Sequence, residues 1–177
     1  RKTVEELSQR DFDDAVSRLL SARRIYVMGL RSAAPLAQFM YHYLHQVLDD
    51  VKLVHNTTGD VFEEIARIGS EDVLVGISFP RYSATTAKAA QYCRSTGATV
   101  IGLTDTALSP LGQSSDHVLC AKSSMVSLVD SLVAPMSVVN ALIVAIAAKR
   151  EKELSRTFAN LERIWDEYDV YEKQVER

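Results

Sequence analysis

Five short runs rich in β-branched and aliphatic residues, at 24–28, 51–54, 73–77, 99–103 and 117–121, alternate with stretches whose apolar residues recur at helical spacing. No other feature narrows the possible folds as far. A hairpin needs only a tight turn between strands, whereas a helix-length segment between every pair returns each strand to the sheet in the same direction. The expected fold class is therefore α/β, a parallel sheet covered by helices on both faces. Ligands of such sheets lie beyond the carboxyl ends of the strands, where strand order reverses. The loops after Met28, Ile77 and Leu103 are thus where functional residues are expected.

The helical stretches carry their own punctuation. Thr3 and Glu6 have capping-box spacing ahead of Val4, Leu7, Phe12, Val16, Leu19 and Leu20, which predicts a first helix over 3–21. Leu36, Met40, Tyr43, Leu44 and Val47 mark a second, and Asp60 can cap a third that carries Val61, Ile65 and Ile68 and ends near Gly69. A fourth over 84–96 closes at Gly97, and Ser109-Pro110 opens a helical turn. Residues 128–148 are apolar nearly all round, which calls for burial against the sheet or a partner subunit and is read as part of a dimer core. Leu154, Phe158, Leu161, Trp165 and Tyr168 then form a stripe at steps of four and three, suited to packing on a neighbouring helix or a symmetry mate.

A chain of 177 residues, 47% of them hydrophobic, has material for one core. One domain over 1–177 is expected, with its core at about 25–148, an N-terminal helix at 3–21 and a helical tail at 151–175. A net charge of −3 provides no global positive field for a nucleic-acid backbone. Cys93 and Cys120 are too few for a disulfide framework or a cysteine zinc site; buried free thiols in a reducing cytoplasm are the expectation. The apolar stretch 136–148 is broken by Ser137 and Asn140 and falls short of the roughly 20 residues needed to cross a bilayer, so no membrane partner is expected. No signal peptide is read ahead of the first helix, and the start at Arg1 suggests a piece of a longer protein.

The chemistry concentrates in Asp72-Val-Leu-Val-Gly-Ile-Ser78-Phe-Pro-Arg81-Tyr82-Ser83, where an apolar strand runs into hydroxyls and a guanidinium and then into a helix. A helix start offers free N–H groups and a positive dipole end, short hydroxyls add donors, and arginine supplies a rigid fork that matches phosphate oxygens. A small phosphorylated ligand is expected, held by Ser78, Arg81, Tyr82 and Ser83 with no metal and no cofactor. The plainer alternative leaves Ser83 as an N-cap and Arg81 as a solvated loop residue. Gly29, Arg31 and Ser32 would face this turn if the first and third strands are neighbours, which would bring two guanidinium groups to one anion site; an ordinary helix start also explains them. Thr104 could contact a phosphate or backbone and Asp105 could accept from sugar hydroxyls, although a turn into Ser109 accounts for both equally well. His42 and His45 are read as core or interface residues, His55 as a loop residue that could overhang the crevice, and Asp130 and Asn140 as buried polar groups at a subunit contact.

From Asp72 onward the residues resemble the SIS (sugar isomerase) domain, whose pattern is an apolar strand, Ser-x-Ser-Gly-x-Thr, a helix, Gly-Ala-x-Val-Ile-x-Leu-Thr-Asp, Ser-Pro-Leu and Ala-Asp-x-Val-Leu. This chain has Ser78-Phe-Pro-Arg-Tyr-Ser83, Gly97-Ala-Thr-Val-Ile-Gly-Leu-Thr-Asp105, Ser109-Pro-Leu111 and Ser115-Asp-His-Val-Leu119. It departs from the pattern with Pro80 at the second serine, Arg81 at the glycine, and Arg31 at the second glycine of the first Gly-x-Gly loop. The resemblance, over about 25–148, implies a three-layer αβα sandwich with a five-stranded parallel sheet in the flavodoxin-like order 2-1-3-4-5.

The flanking helices and the Gly-Leu-Arg-Ser and Ser-Phe-Pro-Arg-Tyr-Ser loops look like the sensor half of RpiR-type bacterial transcription regulators. That resemblance implies a sugar phosphate as ligand, a homodimer, and contact with DNA only through an N-terminal helix-turn-helix domain not included in this sequence. A sugar-phosphate isomerase is the rival reading. Isomerisation needs a general base, and His55, Glu63 and Asp105 are the plausible ones, none in a motif that matches. A nucleotide-binding module lacks support, since neither Gly-x-Gly-x-x-Gly nor Gly-x4-Gly-Lys-Ser/Thr is present.

Overall fold

A computed structural model describes residues 8–55, 60–123 and 131–171. In chain order its elements are α1 (Gln9–Ser21), β1 (Ile25–Gly29), a 3-10 turn (Arg31–Ala33), α2 (Ala34–Val47), β2 (Val51–Val54) and α3 (Val61–Ile65), followed by β3 (Val73–Ile77) and α4 (Ala84–Ser95). Then come β4 (Thr99–Thr104), α5 (Pro110–Gln113), β5 (His117–Cys120), α6 (Val133–Lys149) and α7 (Glu151–Glu167). All strand pairs are parallel and the sheet order is β2-β1-β3-β4-β5, as the alternation and the resemblance imply.

β1 and β3 are buried on both faces, which is why their sequences are apolar without alternation. One face of the sheet packs through Val27, Val75, Ile77 and Leu103 against Leu19 of α1, Met40 and Leu44 of α2, and Val139 and Leu142 of α6. The opposite face packs through Tyr26, Met28, Leu74 and Val100 against Ile65 of α3, Ala89, Ala90 and Cys93 of α4, and Leu111 of α5. Each such Leu, Ile or Met contributes about 1.5–3 kcal/mol on leaving water. Because α2 and α4 lie on opposite faces, the chain leaves β1 and β3 in opposite directions and a crevice opens between their ends.

Two glycines have specific work. A Cβ on Gly29 would lie 2.6 Å from the Ala33 carbonyl oxygen and 3.0 Å from Ala37 Cβ, so only glycine lets β1 turn this closely into α2. Gly97, with φ of +86°, takes the left-handed position that ends α4. At the amino ends of the strands, the fully buried Asp72 accepts from Arg23 Nε at 2.9 Å, Arg23 Nη2 at 2.7 Å and the Gly69 amide at 2.8 Å. Burial pushes its carboxyl upward, but the Arg23 hydrogen bonds, the Gly69 amide and the charge of Arg23 outweigh this and hold it below the ordinary carboxylate value.

Several expectations need correction. α1 starts at Gln9 with Ser8 as N-cap, whose hydroxyl accepts from Asp11 N–H at 3.2 Å; the capping box at Thr3 and Glu6 lies outside the described residues. Asn140 is exposed on α6 within this chain, so any burial comes from a subunit contact, while 128–130, Asp130 among them, lie outside the described residues. His42 and His45 are exposed, which excludes the core half of the expectation and leaves the interface half; His45 Nδ1–H donates to the Tyr41 carbonyl at 3.0 Å, and His42 Nε2 accepts from Gln46 at 3.3 Å. α6 buries Val138, Val139, Leu142 and Ile146 yet leaves Val133 76% and Val144 67% exposed, and α7 buries no residue. Among the described residues, no single helix is long and apolar enough to cross a membrane.

Candidate anion-binding site at the carboxyl ends of β1, β3 and β4

Register brings three loops to one level. Gly29 pairs with Ile77 and Ile77 with Leu103, so Arg31, Ser78 and Thr104 begin adjacent loops along one edge of the sheet. The middle loop is rigidly made. Ser78 N–H extends the ladder to the Leu103 carbonyl at 3.1 Å, its hydroxyl accepts from Ser83 N–H at 3.2 Å, and Phe79 anchors the turn in the core beneath. Ser83 is the N-cap of α4, accepting from Thr86 N–H at 3.2 Å through its side chain and from Ala87 N–H at 3.2 Å through its carbonyl. The N–H groups of Ala84 and Thr85 have no acceptor among the described residues. They are the orphan donors of a 12-residue helix whose positive dipole end faces the crevice.

Arg81 and Arg31 share an unusual backbone. Their φ values are +61° and +56°, the left-handed region that suits glycine and costs an L-residue about 1–2 kcal/mol. Both side chains are exposed, and neither has an ion pair or hydrogen bond among the described residues. These are the two positions where the SIS pattern has glycine. The chain keeps the backbone that glycine would adopt and mounts a guanidinium on it.

On the other flank the Tyr82 hydroxyl donates to Asp105, 2.9 and 3.0 Å from its two carboxylate oxygens. Burial, then the Asp105 hydrogen bond and charge, push the Tyr82 hydroxyl above its ordinary value, so it stays protonated as a donor. Thr104 is fully buried, with its hydroxyl donating within 2.9 Å of Ser109 Oγ and 3.2 Å of Asp105 Oδ1, and Ser109 Oγ accepts from Gly112 N–H at 3.0 Å. Of the two expectations for Thr104, a ligand contact or a turn into Ser109, the structure has the second: the buried hydroxyl braces the loop internally. Asp105 is half-buried and reachable, but already engaged by Tyr82.

Ser32 is exposed in the 3-10 turn beside Arg31, so Gly29, Arg31, Ser32, Ser78, Arg81, Tyr82, Ser83 and Asp105 all lie around these loop starts. His55 lies beyond β2, its N–H donating to Glu64 Oε1 at 3.2 Å and its Nδ1 3.7 Å from the same oxygen. One group escaped the sequence reading: Thr86, fully buried in the first turn of α4, whose hydroxyl lacks a partner among the described residues. Its spacing of three from the cap Ser83 places it on the first turn, a signal the sequence did carry. Concavities elsewhere, such as those at Trp165 and Tyr171 or at Arg94 and Leu108, have no strand ends converging on them, so volume alone does not locate the site.

The fold defines a class: doubly wound α/β domains with a five-stranded parallel sheet whose strand order reverses between β1 and β3. Residues 18–145 match the SIS domain family, and the chain belongs to it. An uncharacterized HTH-type transcriptional regulator from Haemophilus influenzae is 30% identical over 118 residues, covering 67% of this chain; the chain spans 41% of that relative's length. The structure of the sugar isomerase domain of an RpiR transcription factor from Sphaerobacter thermophilus superposes with a TM-score of 0.87 at 25% identity, covering 92% of this chain and 90% of that one. The Vibrio vulnificus NanR protein complexed with ManNAc-6P gives 0.81 at 16% identity, covering 94% and 64%. Candidate phosphosugar isomerases share the fold at 18% identity and below, a likeness that carries the architecture alone.

Proposed function

We propose that this chain is the effector-sensing domain of an RpiR-type regulator of sugar metabolism, binding a phosphorylated sugar between the β1, β3 and β4 loops and so modulating DNA binding by a helix-turn-helix domain outside this sequence. The observation that carries the reading is the β3–α4 turn. Two orphan amides, two serine hydroxyls, a helix dipole and a guanidinium without a partner among the described residues belong to this one turn, a donor set that suits a phosphate. In this reading Ser78, Arg81 and Ser83 hold the phosphate, with Gly29, Arg31, Ser32, Tyr82 and Asp105 around the sugar and Thr104 bracing the loop.

Catalysis is the weaker reading. A general base must be ready to accept a carbon-bound proton, and Asp105, the carboxylate among the candidate bases that stands at these loop starts, already accepts from Tyr82. The protein acts as a cytoplasmic dimer in this proposal. α7 has 17 residues and buries none of them, and a helix of that length in water depends on packing for its stability. Ligand would then shift the balance between dimer arrangements through its differential affinity for them.

The test combines thermal shift with product analysis over a panel of pentose and hexose phosphates. A ligand at about 100 times its Kd raises stability by roughly 2.7 kcal/mol. A melting rise without product is the expected result; isomerised product at enzyme-like rates, or no response to any phosphate ester, overturns the proposal.

A further inference from the structure

Resting on that reading, we infer that the effector carries a second anionic group besides its phosphate, making it a phosphorylated sugar acid or a sugar bisphosphate in preference to a neutral sugar monophosphate. The inference comes from how charge is laid out across three neighbouring loops. The β3 loop is sufficient for one phosphate by itself, with the Ser78 and Ser83 hydroxyls, the open Ala84 and Thr85 amides and the Arg81 guanidinium. Arg31 is a further cation, in the β1 loop next to it, since Gly29 and Ile77 are register partners. On the far side, the β4 loop presents the Asp105 carboxylate, a group that repels anions and welcomes hydroxyls. The crevice is therefore polarised, positive toward β1 and negative toward β4, with phosphate donors between.

Strain supports a role for the β1 side. Arg31 occupies a left-handed backbone position that glycine would take at no cost, is exposed, and its side chain has no carboxylate or other hydrogen-bond partner among the described residues. An arginine kept in such a conformation whose guanidinium has no partner among the described residues suits a role toward a ligand group. The guanidinium fork matches the paired oxygens of a carboxylate or phosphate, whereas sugar hydroxyls need no second cation.

The test is isothermal titration with three probes that differ at one end: glucose 6-phosphate, 6-phosphogluconate and fructose 1,6-bisphosphate, each against the native chain, Arg31→Gly and Arg31→Lys. Glycine suits the left-handed backbone, so Arg31→Gly should fold, with its melting curve as the check. The native chain should bind one of the two doubly anionic probes at least about tenfold more tightly than glucose 6-phosphate. Which of the two wins identifies the second group as carboxylate or phosphate. Arg31→Gly should bring that ratio close to one, and Arg31→Lys should retain part of it. Equal affinity for all three probes in the native chain, or a ratio that survives Arg31→Gly, overturns the inference while leaving phosphate binding intact. Binding of none of them removes the underlying reading, and this inference with it.

Discussion

Arg81 allows charge and backbone to be separated, because the same position can be changed in two ways. Its side chain is exposed and has no partner among the described residues, so Arg81→Ala removes a cation and little else. Alanine keeps the penalty of φ +61°, and the stability of the unliganded protein should stay within about 0.5 kcal/mol of the native value. Affinity for a sugar phosphate should fall, since hydrogen bonds to a charged group contribute about 1.5–3 kcal/mol, a loss of roughly 10- to 150-fold in Kd. Arg81→Gly should lose affinity in the same way but gain stability. Relief of the left-handed strain is worth about 1–2 kcal/mol, and the greater unfolded freedom of glycine takes back about 0.5–1 kcal/mol. The net gain is up to about 1.5 kcal/mol, and at 2–4 °C per kcal/mol for a domain of this size the melting temperature should hold or rise, by up to roughly 6 °C. Calorimetry of both variants, free and with ligand, reads the two effects independently. A melting temperature that falls in Arg81→Gly would show that the guanidinium serves the fold, and unchanged affinity in both variants would remove Arg81 from the site.

Gly29→Ala should destabilise by about 2 kcal/mol or more, because the new Cβ meets the Ala33 carbonyl oxygen at 2.6 Å where backbone cannot yield; urea denaturation measures it. Asp72→Asn should lower stability at pH 7 through loss of the charged bonds to Arg23. Since the folded carboxyl titrates below its unfolded value, that contribution is present above the ordinary carboxylate pKa near 4 and disappears as pH falls through the folded one. Native and Asp72→Asn melting temperatures should therefore converge on acidification, and a constant gap would contradict the assignment. Burial pushes the Cys93 thiol up to about 12, so peptide mass spectrometry should find it unalkylated by iodoacetamide at pH 8 until the protein unfolds.

The sheet was legible because its signals are local. Val73–Ile77 and Ala84–Ser95 were readable from a β-branched run, a serine cap and a closing glycine within about twenty residues, and burial on both faces explains why β1 and β3 lack alternation. The anion turn was legible for the same reason. Long-range ties were less so: Tyr82 and Asp105 were each expected at the ligand, yet only the pairing of Ile77 with Leu103 brings their loops together and ties them to each other. For Thr104 the residues leave a ligand contact and a turn into Ser109 equally open, and only the fold decides for the turn, which buries the threonine. Nor does arginine carry any preference for a left-handed backbone. The conformation of Arg31 and Arg81 is imposed by the turns around them and became visible only with the fold.

The central claim is that the β3–α4 turn holds the phosphate of a sugar phosphate. A crystal of the complex tests it most directly. Phosphate oxygens within hydrogen-bond distance of the Ala84 and Thr85 amides and of the Ser78 or Ser83 hydroxyl, with the Arg81 guanidinium turned onto them, is the predicted result. A ligand bound elsewhere, or a turn closed by its own side chains when ligand is present, would contradict the account.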